Sequence, residues 1–349
     1  MRLIEWRAIR IGSGGTDPLP EKISDLLTKA GLPLLGIFAL VGLGSSEWPI
    51  VWQLLPFYLS LFILGMPHGA ADHLLLWGLT GKDSTSFKIV SLLVYVSISG
   101  LYLFAWGIWP VYSAVFFLVL TIFHWGQGDR YLTARLHGAG YLERSKLLSV
   151  LHLILRGCLP IILPGYLGNL IYHDFLIAMV AQGGGKMTDF PLIIEEKTLF
   201  LVVPLALLVL YCLLAPLSVR ATERKALLID LLEGVCLFFW FLFVPPLWAI
   251  GIYFVFWHSL RHALRILWID GAGRAALQTF TLSKLTTRWL RLTTLMTVLA
   301  LLGLWFILSL PLSINGIELD WLGKAMIGIS ILTLPHTLLV CLLDHKQSS

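Results

Sequence analysis

Charge is what this chain has least of. Lys, Arg, Asp and Glu make up 13% of its 349 residues, whereas a soluble domain carries about 25%. So small a share cannot clothe a globule in water. With 58% hydrophobic residues and a mean hydropathy of +0.85, much of the chain must be solvated by lipid. Cysteine is as sparse: Cys158, Cys212, Cys236 and Cys341 stand singly in apolar stretches with no CxxC pair. That argues against a disulfide framework or a zinc knuckle and for small apolar side chains in helices. There is no flavin, nicotinamide or haem fingerprint. The N-terminus, MRLIEWRAIRIGSGGTDPLPEKISDLLTK, is too polar for a signal peptide, so the first spanning helix is expected to act as the insertion signal. The net charge of +5 does not indicate a nucleic-acid partner, because the cations sit in short clusters between apolar runs, as in membrane proteins.

What the chain does have is long apolar runs. A helix needs about 20 mostly apolar residues to cross the bilayer core, and ten segments qualify, near 30–46, 49–79, 88–108, 110–128, 147–165, 198–217, 227–244, 247–269, 290–310 and 322–343. An eleventh, 166–182, is amphipathic and reads as interfacial or re-entrant. The expected fold is an all-α, polytopic transmembrane helix bundle of about ten spans. A single membrane domain over 30–343 would lie between cytoplasmic tails at 1–29 and 344–349. Basic loops alternate with short Pro- or Gly-containing connections free of Lys and Arg, which places both termini in the cytoplasm and the chain in the inner or plasma membrane.

Four blocks interrupt the apolar background: GMPHGAADH (65–73), FHWGQGD (123–129), WHSLRH (257–262) and LPHT (334–337). They carry His68, His73, His124, His258, His262 and His336 on the second, fourth, eighth and tenth segments. Those segments run in the same direction and place the histidines at one depth in the inner half of the membrane. A lone helical histidine is more often an interhelical hydrogen-bonder than a ligand. Six of the ten histidines at one depth reverse that expectation for the set, since polar groups inside a membrane mark function. His258 and His262, four apart, project from one helix face and suit two ligands on one metal. Asp72, four beyond His68, is placed to orient a ligand imidazole. An all-imidazole set favours iron, copper or zinc over magnesium or calcium. Arg261 reads as a residue snorkelling towards the cytoplasm or neutralising Asp72 or Asp129, with the former favoured. Trp125 and Trp257, with Phe123 and Phe256, read either as interfacial aromatics or as the lining of a flat apolar tunnel.

In this order and at these separations, PHGAADH, FHWGQGD, WHSLRHALR and a late PHT resemble the Brp/Blh family of membrane-bound β-carotene 15,15′-dioxygenases, over about residues 60–343. The resemblance implies an Fe(2+)-dependent oxygenase with His68, His124, His258 and His262 as ligands. It would split the central double bond of β-carotene with O2 into two all-trans-retinal, destined for a microbial rhodopsin. His73 and His336 belong to the motifs and are expected beside the metal or along the tunnel. Two other readings compete. A membrane di-iron hydroxylase or desaturase would need more histidines and HxxHH pairs. A non-enzymatic carotenoid or retinal carrier would leave β-carotene uncleaved.

Overall fold

A computed structural model describes residues 21–82, 84–167, 169–185, 197–309 and 321–348. They are helical throughout, with no strand among the described residues. Among the described residues the longer helical runs are α1 (Glu21–Gly42), α2 (55–80), α3 (Thr85–Ile108), α4 (Pro110–Leu136), α5 (Lys146–Ile161), α6 (Asn169–Gln182), α7 (Lys197–Leu214), α8 (Arg224–Phe243), α9 (246–269), α10 (Gly271–Gln278), α11 (Leu282–Ser309) and α12 (Trp321–Ser348).

Eight helices among the described residues are long and apolar enough to cross a membrane, which marks a membrane protein. Two of the ten expected segments fall outside this set. The apolar part of α1 is only Ala30–Gly42, and α9 carries His258, Arg261, His262 and Arg265 within one run, which lowers its apolarity. The 166–182 segment becomes α6, whose 14 residues reach about 21 Å, short of the roughly 30 Å hydrocarbon core; it packs on α12 and α4 instead. α1 begins at Glu21 and α12 runs on to Ser348, because the polar ends continue the helical turn; residues 1–20 lie outside the described residues.

The tightest packing is between α4 and α5. A Cβ on Gly126 would lie 1.9 Å from the Leu153 carbonyl, and one on Gly157 would lie 1.9 Å from that of Ile122. Only glycine admits so close a backbone approach. The crossing fixes α4 on both sides of His124, at Ile122 and Gly126. The outward faces of α3, α7 and α11 stay apolar and exposed, as with Leu101, Leu213 and Trp305, and these are the faces that lipid would cover.

Candidate metal centre

Two of the four histidine-bearing runs depart from the α-helix where their histidines sit. α2 winds into a π-helical turn over Leu61–Gly65, just before Pro67 and His68. α9 does the same over Tyr253–Ser259, the turn that carries His258. A π turn takes an extra residue and re-aims the side chains beyond it, and such turns concentrate at functional sites. The two turns face each other: a Cβ on Gly65 would lie 2.8 Å from both Phe254 Cε1 and the Ser60 carbonyl. His68 Nδ1–H donates to the Leu64 carbonyl at 3.0 Å, which leaves Nε2 as the nitrogen free to accept or ligate.

These departures bring four helices to one point. The His68 ring lies 5.5 Å from His258, 5.2 Å from His262 and 5.0 Å from His336, centroid to centroid. His124 lies 5.1, 6.4 and 4.7 Å from the same three. All five are buried. The tightest set is His68, His124 and His336, each offering a ligand nitrogen within 4.8 Å of the others. His336 therefore belongs inside the cluster rather than along its approaches. His73 does not join it: its ring packs edge-on against Trp77 at 4.9 Å.

The aromatic surroundings differ from expectation. Trp125 is at the cluster, 5.3 Å from the His258 ring, and continues into Tyr253 and Phe254 at 5.4 and 5.6 Å. Phe254 in turn stacks on His258 at 5.9 Å and an angle of 11°. Phe123 and Phe256 are exposed on the outside of the bundle, and Phe256 stacks on Phe38 of α1. The reason is helical phase: Phe123 and Phe256 take the faces of α4 and α9 turned away from the cluster. Trp257 turns the other way too, its Nε1–H donating to Asp129 at 2.9 Å.

The model of the β-carotene 15,15′-dioxygenase family matches residues 59–344, a stretch that holds all five clustered histidines. The chain belongs to that family. A "probable β-carotene 15,15′-dioxygenase Blh" of Halobacterium salinarum is 30% identical over 338 residues, covering 95% of this chain and 96% of the relative. The "probable β-carotene 15,15′-dioxygenase Brp" of the same organism is 24% identical, covering 94% and 95%. No solved structure matches the chain. As a member of the dioxygenase family the chain is an oxygenase.

Behind the cluster this dioxygenase-family chain buries a charged network that motif reading missed. Arg261 does not snorkel. Its guanidinium lies 3.6 Å over the Trp257 ring and pairs with Asp129 at 3.0 Å and Glu233 at 2.8 Å. Arg156 of α5 joins Asp129 at 3.3 Å to Asp230 at 2.7 Å. Asp230 also accepts from Tyr141 at 2.7 Å and Tyr211 at 2.5 Å. The network ties α4, α5, α8 and α9 together beside His262 and one turn from His258. Its signal in the sequence was isolated charge in two apolar runs, Arg156 in LHLILRGCLP and Asp230 with Glu233 in LLIDLLEGVC.

Proposed function

We propose that the chain cleaves the central 15,15′ double bond of β-carotene with O2, giving two molecules of all-trans-retinal, at an iron(II) ion held by His68, His124, His258 and His262. One observation carries this reading. The Nε2 atoms of His124, His258 and His262 are buried with no hydrogen-bond partner, and His68 turns its bonded Nδ1 away from them. Buried polar atoms are normally satisfied, so several orphaned imidazole nitrogens at one point fit a metal. A set of imidazoles suits iron and does not suit magnesium or calcium. Iron bound there would supply the binding and activation of O2.

The chain's own residues supply placement. The substrate is a long, flat hydrocarbon that dissolves in the bilayer, and the site lies inside the helices that the bilayer surrounds. Trp125, Tyr253 and Phe254 offer flat apolar faces beside His258, suited to a polyene. A cavity of about 590 Å³ between α3, α4 and α12, lined by Leu101, Tyr102, Trp109, Tyr112, Phe116 and Leu334, opens on the lipid-facing side. Leu334 places one wall of this cavity on α12, the helix that carries His336. Both oxygen atoms end in the two aldehydes, so the reaction asks for no external reductant. Retinal would leave into the membrane, with a microbial rhodopsin as its receiver and both termini of the chain cytoplasmic.

The test is pigment analysis of β-carotene-producing cells expressing the chain, beside the His258→Ala variant. Bleaching with retinal accumulating, lost in the variant, supports the reading. Orange cells without retinal, despite membrane expression and supplied iron, would replace the enzyme with a carrier.

A further inference from the structure

Seven carboxylates are buried among the described residues. Six of them meet an arginine: Asp129, Glu223, Asp230, Glu233, Asp270 and Asp344 pair with Arg261, Arg144, Arg156, Arg261, Arg288 and Arg265 respectively. Asp72 is the exception. Its oxygens accept from His336 Nδ1–H at 2.8 and 2.9 Å and from the Tyr95 hydroxyl at 3.1 Å, and no arginine or lysine among the described residues bonds to it. A buried carboxylate without a cation is costly, and proteins of ordinary stability supply one. A metal ion bound at the other nitrogen of His336 would supply that cation through the imidazole. That atom, His336 Nε2, is buried with no protein partner, and His336 offers one ring nitrogen to a set with His68 and His124 whose ligand atoms all lie within 4.8 Å of one another.

We propose that His336 is a further metal ligand, and that Asp72, held by Tyr95, is the positioning residue that fixes it. This rests on the metal reading under Proposed function. The carboxylate holds the proton on Nδ1, so the Nε2 lone pair points at the metal, and it returns one negative charge to a site otherwise built from imidazoles. Carboxylate–histidine–metal relays work in this way elsewhere. The relay also crosses the bundle: Asp72 and His68 sit on α2, Tyr95 on α3 and His336 on α12. Tyr95 lies 3.4 Å from the Leu332 carbonyl as well, which locks α3 to the turn of α12 before His336. Asp72 thus orients a histidine 264 positions away.

The experiment is titration of the full-length, metal-stripped protein in detergent with Co2+, followed by its visible d–d absorption, for the wild type, Asp72→Asn, His336→Gln and Tyr95→Phe. The expected result is Co2+ affinity about 10- to 100-fold weaker in Asp72→Asn and His336→Gln. Tyr95→Phe should fall between them and the wild type. The cobalt spectrum should change in His336→Gln, a signature that loss of a merely structural hydrogen bond would leave alone. Asp72→Asn keeps the side chain's shape, so it decides the matter if His336→Gln fails to fold. Wild-type affinity and an unchanged spectrum in both variants would overturn the assignment while leaving the metal site standing. A wild-type protein that takes up neither Co2+ nor Fe2+ would instead overturn the metal reading itself, and this assignment with it.

Discussion

Gly157→Ala is the most exacting test of how the bundle holds its histidines. The new methyl would stand 1.9 Å from the Ile122 carbonyl oxygen, where real Cβ contacts essentially never fall below 3.0 Å, so α5 must retreat from α4 by at least about 1.1 Å. The offending atom is backbone in the middle of a helix, and no side-chain rotation relieves it. Two costs result. Overpacking a close crossing destabilises by about 1–3 kcal/mol. The second cost is positional, because Ile122 lies two residues before His124 and the Gly126 contact with the Leu153 carbonyl opens at the same time. A ring displaced by about 1 Å at a reacting centre can lose roughly 100-fold in rate. The assay is retinal formed per minute from β-carotene in detergent micelles, with thermal unfolding read in parallel. Gly100→Ala serves as the control, since a Cβ there meets nothing within 4 Å. Wild-type turnover and melting in Gly157→Ala would refute the claim that this crossing sets the position of His124.

The same geometry dictates other outcomes. Arg261→Met leaves Asp129 and Glu233 short of a partner in the bundle and should cost about 3–5 kcal/mol of unfolding free energy. Arg261→Lys should fail to restore it, because a single ammonium cannot both bridge the two acids and stack on Trp257; full rescue by lysine would contradict this. Trp125→Ala should lower turnover several-fold, whereas Phe123→Ala and Phe256→Ala, both on the outer surface, should leave rate and cleavage position unchanged. Equal losses in all three would mean the outward faces line the substrate path. Chelation of the purified protein should abolish retinal formation, and Fe2+ should restore it better than Mg2+; activity that survives exhaustive chelation would remove the metal from the reaction.

Much of this was legible in the sequence, for a physical reason. In an apolar chain every buried polar residue must be justified by a partner or a function, so His68, His124, His258 and His262 stood out against their own helices, and the structure brings the four together. What failed was the assumption of regular helix. Spacing placed Asp72 four residues beyond His68 as a carboxylate to orient an imidazole, but the chain breaks between α-helical segments at Ala71, and the imidazole it bonds, His336 on α12, could not be named from spacing along one helix. The π turns at 61–65 and 253–259 have no local sequence rule comparable to a cap or a proline. Their effect on which aromatic faces inward, Phe254 rather than Phe256, was not readable. Arg261 was misjudged because its partners Asp129 and Glu233 lie on two other helices, and only the packing of α8 supplies the second.

Placing the ion network beside the imidazoles, rather than elsewhere in the bundle, answers what the imidazoles require. An α-helix offers its own backbone no means of holding a side chain at a fixed angle, so rings meeting from four helices stay in register only if those helices cannot slide. Hydrophobic packing in lipid resists sliding weakly, since one apolar contact replaces another at little cost. A buried ion pair does not exchange so easily: moving α9 by one turn would strand Arg261 and take one partner each from Asp129 and Glu233, at several kcal/mol. Asp129, one turn beyond His124's neighbours on α4, and Arg261, adjacent to His262 on α9, therefore fix the register of the two helices that supply His124, His258 and His262. Asp72 and His336 do the same for α2 and α12, with a histidine in place of the arginine. On the proposed reading the positive charge of that second pair comes from within the cluster, which makes the relay through His336 and the arginine network behind Trp257 two solutions to one problem of register.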